Sequence, residues 1–299
     1  MNSTDSDVRA SGDAAVATLA PVWLDTLWLQ VTGTVCNIAC KHCFISCGPK
    51  VTTHDLMSVA AVSEALDDAC ERGLRAAWFT GGEPFIHPQI RELITETLRQ
   101  VPLGILTNGM LIDAELAQWL EAASQRSDYN LEIRVSLDGC TREDNDRVRG
   151  RGVFDKTTLG IANLARVGLE PIIAVTLLDD GTATRAAFVE LLRGLGVRQP
   201  RVKWIPPFRI GREERRRGGR AYAEYERLTT ADLDVPDAAH RLQCGTSRTV
   251  TSQGVFPCPI LINEPEHRLG ERLGDAMGPH RVDHPACSTC WAEGFSCSA

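Results

Sequence analysis

No stretch of this chain approaches the ~20 consecutive apolar residues that cross a bilayer as a helix, so no membrane partner is expected. An export signal is missing too. The opening MNSTDSDVRASGDAAVATLA carries acidic residues, no basic flank and no apolar centre, so it reads as neither signal nor transit peptide. Residues 1–20 are therefore expected to form a disordered tail ahead of Pro21, on a cytoplasmic protein. Positive charge is in deficit, with 32 Lys and Arg against 39 Asp and Glu. The formal net charge of −7 disfavours nucleic acid as a partner, because phosphate backbones are bound by basic surfaces. An acidic protein instead suits a cationic ligand.

Cysteine is abundant, at 11 residues. Without an export signal these thiols stay reduced, so metal ligation accounts for them better than disulfides do. Cys36, Cys40 and Cys43 fall in the segment CNIACKHCF, directly after the strand-like run Leu27–Val31. A C-x3-C-x2-C triplet supplies three thiolates, one short of the four that close an iron–sulfur cluster. That leaves one iron open to a substrate or cofactor; the alternative is a zinc site or buried free thiols. Five more cysteines, Cys244, Cys258, Cys287, Cys290 and Cys297, crowd into residues 241–299. So short a segment buries little core of its own and is expected to be held together by metal.

Between these clusters the pattern alternates. Strand-like runs lie at Leu27–Val31, Ala76–Thr80, Leu103–Leu106, Leu131–Leu137, Pro171–Leu177 and Val202–Ile205. Helix-period segments separate them: one capped by Ser58 and stopped by Gly73, then Pro88–Gln100, Asp113–Ala123, Asp155–Val167 and Thr184–Arg193. Gly168 and Gly194 are placed for left-handed helix ends. Six βα repeats imply parallel strands in a barrel-like or open α/β sheet over residues 21–212, followed by a linker and helix over 213–240. In such sheets chemistry gathers at the carboxyl ends of strands. The unusual residues fall there: the cysteine triplet, Gly81-Gly82-Glu83-Pro84, Thr107-Asn108-Gly109 and Ser136-Leu137-Asp138-Gly139, with Gly211-Arg212 after the sixth strand.

Taken together, from about residue 24 to 297, these motifs resemble the radical S-adenosylmethionine (SAM) superfamily with a C-terminal extension of the SPASM or twitch kind. The resemblance implies an α/β fold, a partial (β/α)6 TIM-like barrel carrying a small Fe–S-binding extension. It implies that Cys36, Cys40 and Cys43 hold a [4Fe–4S] cluster whose open iron is chelated by SAM. His42 would lie against the adenine, Gly81, Gly82 and Glu83 would receive the methionyl amino group, and Ser136 would sit near ribose and carboxylate, with Asn108 in the same set. A flavodoxin or ferredoxin would supply the electron that cleaves SAM to a 5′-deoxyadenosyl radical, which abstracts hydrogen from substrate.

A second, auxiliary [4Fe–4S] cluster needs four thiolates, and the extension offers five. Cys244, Cys258, Cys287 and Cys290 match the twitch spacing. Cys297, near the end of the chain, would be pinned by a metal bond, which favours Cys258, Cys287, Cys290 and Cys297 as ligands. Cys244 would then face the barrel mouth as a hydrogen-atom donor, with Cys140, just after SLDG, as second choice. No peptide-recognition segment is evident at the N-terminus, and Asp138, Asp144, Asp146, Glu213 and Glu214 lie near strand ends. The expectation is a small cationic amino-sugar substrate and an epimerase resembling the radical SAM enzymes of aminoglycoside biosynthesis. The alternatives are a dehydrogenase or peptide-modifying enzyme on the same scaffold, or a non-catalytic Fe–S sensor.

Overall fold

A computed structural model describes residues 16–178, 184–219 and 222–294. Six parallel strands form its centre: β2 (Thr26–Gln30), β3 (Ala76–Thr80), β4 (Leu103–Thr107), β5 (Leu131–Ser136), β6 (Ile172–Thr176) and β7 (Arg201–Ile205). Each pairs with the next in register, from Leu27 opposite Ala77 through to Val175 opposite Trp204. The crossovers carry α1 (Val59–Glu71), α2 (Ile90–Thr97), α3 (Ala114–Gln125), α4 (Arg142–Arg149), α5 (Val153–Arg166) and α6 (Arg185–Gly194). This is the expected (β/α)6 partial barrel. Its core is made of aliphatic and aromatic strand residues, Leu27, Leu29, Phe79, Ile105, Val135 and Ile173, against the apolar faces of the helices. Burial of that kind contributes roughly 25 cal/mol per Å² of apolar surface removed from water.

Local chemistry sets the helix ends. The side chains of Ser58, Asp113, Thr141 and Thr184 each accept from a backbone N–H of the helix they precede. Gly168 takes the left-handed conformation expected of it, whereas Gly194 remains helical and Gly196 turns the chain after α6. Helix α4 was not legible as a separate element. It is eight mostly charged residues long, starts immediately after SLDG, and is stopped by Gly150.

Three boundaries differ from expectation. The N-terminal tail ends before residue 20: Ala17 and Leu19 are buried, and β1 (Thr18–Leu19) pairs antiparallel with β10 (His280–Arg281). The stretch expected as linker begins with α7 (Gly211–Arg216), because Glu213 turns inward and ion-pairs with Arg216 at 2.7 Å; two single turns, α8 (Thr230–Leu233) and α9 (Ala238–Arg241), follow. The C-terminal extension is not a separate module. Strand β8 (Ser247–Thr251) joins the main sheet parallel to β2, and β9 (Gly254–Phe256) folds back antiparallel on β8. The sheet therefore has eight strands, in the order β7-β6-β5-β4-β3-β2-β8-β9. Helix α10 (Ala286–Glu293) closes the described chain, and among the described residues no helix is long and apolar enough to cross a membrane.

Candidate active site

The loop after β2 is built so that three cysteines converge at the carboxyl end of the barrel. Cys36 N–H donates to Gly48 O (3.2 Å) and Gly48 N–H to Thr34 O (3.1 Å), which closes the loop's base. Lys41 N–H donates to Val148 O of α4 (2.8 Å), and Arg212 N–H to Cys43 O (3.1 Å). The GGEP turn lies directly against this loop. A Cβ on Gly82 would sit 1.9 Å from Val35 O, and one on Gly211 would sit 2.1 Å from Phe44 O. Only glycine lets these two turns approach the cysteine loop so closely.

Cys36, Cys40, Cys43, His42, Gly81, Gly82, Asn108 and Ser136 all line one cleft of about 1000 Å³, its open mouth included. Glu83 does not. Its carboxylate is fully buried and accepts from Phe85 N–H (3.1 Å), Thr107 Oγ1 (2.7 Å) and Asn108 N–H (2.7 Å). It thus ties the GGEP turn to the TNG turn and has no side-chain oxygen facing the cleft. Burial pushes this carboxyl up to about 7, against those three donors. Asn108 completes the tie, donating from Nδ2 to Asn37 Oδ1 (2.6 Å) and accepting from Met110 N–H (3.0 Å).

His42 is 9% exposed and its Nε2 lies 3.0 Å from Asp138 Oδ2. The same oxygen lies 2.7 Å from Nε of Arg149, a cleft-lining residue only 7% exposed. Burial opposes charge on Asp138, but the Arg149 guanidinium and then His42 hold its carboxyl well below the usual carboxylate range. Arg149 was missed in the sequence. The signal for it was the Thr141 cap followed by an eight-residue segment that Gly150 stops. Arg212 also lines the cleft, and its guanidinium donates to Cys47 O.

Cys47 is the other residue missed. It is buried, lines the cleft, and donates its N–H to Cys43 Sγ at 3.3 Å. The hydrogen bond from the Cys47 thiol, with Arg212 and His42 nearby, pulls Cys43 down to about 5. Burial pushes Cys36 up to about 12 and Cys40 to about 11. Buried thiols of this kind become thiolates when a metal compensates the charge, so the donor set fits an iron–sulfur group with one coordination position left to the cleft.

Among the described residues no carboxylate lines the cleft. Four of the five acidic residues expected to greet a polycation are committed elsewhere. Asp138 is paired as described, Asp144 accepts from the Thr141 hydroxyl, Asp146 accepts from Gly152 and Phe154 N–H, and Glu213 is buried beneath α7. Cys140 faces away from the cleft and packs against the barrel core. Among the described residues, three sides of the cleft are instead apolar (Ile38, Phe44, Ile45, Pro206, Pro207 and Phe208) or cationic.

A second cavity of about 350 Å³ lies in the C-terminal region. It is lined by Cys244, Cys258, Cys287 and Cys290, with Phe208, Leu242, Ile260 and Leu261. Cys244 therefore stands with the other three thiols and does not face the barrel mouth as a free donor. The single turn Gln243–Gly245 at the end of α9 carries it there, and it is buried. Cys297 lies outside the described residues. Burial raises all four thiols, Cys258 to about 12. Among the described residues no three Cys, His, Asp or Glu side chains converge tightly enough to hold a single ion. Four thiols spread around one cavity suit a cluster in which each iron takes its own thiolate.

A model of the radical SAM superfamily matches residues 31–193, more than half of the chain. The mycofactocin maturase MftC of Mycobacterium tuberculosis is 32% identical over 163 residues, covering 54% of this chain and 40% of the relative. The antilisterial bacteriocin subtilosin biosynthesis protein AlbA of Bacillus subtilis is 26% identical over 180 residues, covering 60% of this chain and 39% of the relative. The chain thus spans about two-fifths of the length of these curated relatives. Among solved structures, anSMEcpe with bound AdoMet and Cp18Cys peptide superposes with a TM-score of 0.61 at 16% identity, over 84% of this chain and 79% of that one. Streptococcus suis SuiB bound to the precursor peptide SuiA gives 0.62 at 14% identity, over 90% and 67%. The barrel, the cysteine loop at its carboxyl end and the family match agree, and the chain belongs to the radical SAM superfamily.

Proposed function

We propose that this chain is a radical SAM enzyme that modifies a peptide, with Cys36, Cys40 and Cys43 holding the catalytic cluster and Cys244, Cys258, Cys287 and Cys290 an auxiliary one. The family uses a [4Fe–4S] cluster with SAM, which together supply a 5′-deoxyadenosyl radical once an electron donor of the flavodoxin or ferredoxin kind reduces the cluster. The protein's part is to bind, orient and exclude water. Gly81 and Gly82 present backbone to the methionyl group, and Ser136 and Asn108 present polar atoms from neighbouring strand ends. His42, fixed by Asp138, flanks the cofactor from the cysteine loop. Glu83 acts by positioning, since it locks two of those turns together.

The observation that carries the substrate class is the lining of the cleft. Among the described residues it offers guanidinium groups and apolar side chains, and no carboxylate. A substrate with several ammonium groups would find no carboxylate among these described lining residues, and the Arg212 guanidinium would oppose its entry. A peptide brings amide groups, apolar side chains and carboxylates, which this lining accommodates. MftC and AlbA are a maturase and a bacteriocin biosynthesis protein by name, and both SuiB and anSMEcpe have been solved with peptides, which supports the same reading.

The test is an anaerobic assay of the reconstituted full chain with SAM and a reductant. Candidate peptides and aminoglycosides are incubated separately in deuterated water, and products are weighed. SAM cleavage coupled to a mass change or deuterium uptake in a peptide supports the proposal. An aminoglycoside isomer carrying one solvent deuterium, with peptides untouched, would replace it with the epimerase reading. Clusters present with no SAM cleavage on any substrate would mean a sensor.

A further inference from the structure

Arg248 in β8 is the largest buried cation of the described residues, at 0% exposure, and no carboxylate pairs with it among them. Its Nε donates to Ala276 O (2.7 Å) and its Nη1 to Cys244 O and Ser247 O (both 2.6 Å), while Nη2 is buried without a partner. Backbone carbonyls satisfy donors but bring no net negative charge. An uncompensated guanidinium at this depth costs several kcal/mol, so a counter-ion is owed to it. The groups that act on it electrostatically are Cys244 and Cys258, two of the four thiols around the C-terminal cavity. Those thiols are neutral while they carry their protons, and become anionic when they ligate iron.

We infer that Arg248 is the built-in counter-cation of the auxiliary cluster and sets its reduction potential. This rests on the four-cysteine cavity being a cluster site. A four-thiolate cluster is a net anion that gains one further negative charge on reduction. A fixed, water-excluded positive charge beside it favours the reduced form, as charge and hydrogen bonding around a cluster generally do. The position is held rigidly. Arg248 pairs in register with Leu27 of β2, so the same sheet that leads into the catalytic cysteine loop fixes the guanidinium behind the second site. In this role Arg248 touches no substrate; it is a tuning residue acting through Cys244 and its neighbours.

The experiment uses the full chain with Cys36, Cys40 and Cys43 all changed to Ala, so that only the auxiliary site can load. Iron and sulfide are counted after reconstitution, and the cluster is titrated potentiometrically with electron paramagnetic resonance as readout. Arg248→Gln is expected to keep the cluster and move its midpoint to more negative potential. A shift in the reduction equilibrium of about tenfold, ~59 mV for one electron, is expected. Arg248→Lys should restore most of it. If Arg248→Gln does not retain iron while Arg248→Lys does, the charge is needed for loading and the inference stands. An unchanged midpoint in Arg248→Gln overturns it, as does equal loss in Gln and Lys variants, which would make the residue a packing element. If the triple-Ala chain binds no cluster, the four-cysteine reading itself fails, and that outcome is separable because Arg248 is then untouched.

Discussion

The two cysteine sites are opposites in construction. The first sits on a loop at the open end of the barrel, with three thiols, two turns made of glycine and a cleft of about 1000 Å³ beside it. The second has four thiols around an apolar cavity about a third of that size. An incomplete thiolate set needs a ligand from outside and therefore room; a complete set needs none and can be sealed. Phe208, just after β7, lines both spaces and forms a wall between them. That difference is the ground for proposing substrate chemistry at the first site and a supporting role at the second.

The largest effect should come from exchanging the two. Cys36→Ala is expected to reduce 5′-deoxyadenosine release to background. Cys287→Ala should retain SAM cleavage while losing one cluster, ~4 iron per chain, by elemental analysis. If Cys287→Ala also stops SAM cleavage, the functional contrast between the sites collapses. Next in size is the ion-paired floor of the cleft. Asp138→Asn leaves the buried Arg149 without its partner, and a loss of about 3–5 kcal/mol in urea denaturation is expected. A loss under 1 kcal/mol would mean Arg149 escapes to solvent.

Much of the first site was legible because each of its turns carries residues with few substitutes. Cysteines at fixed spacing, paired glycines and strand-end Asn and Ser mark a function in a short window of sequence. All six barrel strands were legible for a related reason, since β-branched and apolar runs of about five residues were bounded by polar turns. What stayed hidden was pairing at a distance. That Glu83 faces inward depends on Thr107 and Asn108, some 25 residues on. That Asp138 serves Arg149 depends on a helix whose charged sequence has no apolar stripe. The spacing grouped Cys244 with Cys258, Cys287 and Cys290, and pinning the tail through Cys297 set it aside; folding lines one cavity with those four thiols. The acidic residues looked available as a set, yet Asp138, Asp144, Asp146 and Glu213 each had a nearer partner.

Smaller effects sharpen the contrast. Gly82→Ala forces a methyl group against Val35 O, and overpacking of this kind costs roughly 1–3 kcal/mol. Iron should fall at the first site alone, by ~4 per chain in elemental analysis of the otherwise intact chain. Loss at both sites would show the loop and extension to be one cooperative unit. The second site should be the more acid-sensitive. Burial, with Arg248 and His267 adding to it, pulls His280 down to about 3, so the folded state keeps this ring neutral. The unfolded chain takes up its proton near pH 6.5, so the native state binds fewer protons below that point. Stability should therefore rise with pH between about 3 and 6.5, by up to ~1.4 kcal/mol per unit from this group, and level off above. His280→Phe should flatten that slope in urea midpoints measured across the range; an unchanged slope would locate the acid sensitivity elsewhere. The smallest effect belongs to Cys140→Ala. The side chain packs at the edge of the barrel core, so a change of about 1 kcal/mol and unaltered products are expected. A loss of product with SAM cleavage intact would return Cys140 to the reaction.

Strand β8 has one more consequence. In an open sheet the outermost strand presents a ladder of unpaired N–H and C=O groups, a template on which other chains aggregate. Here β2, with Leu27, Trp28 and Leu29 in sequence, would be such a strand if the chain stopped at the barrel. Instead β8 lies along Thr26–Leu29, and β9, three residues long, is the short strand left at that margin. A chain cut before Ser247 would expose the apolar margin of β2 and is expected to fall out of solution, whatever the state of its iron.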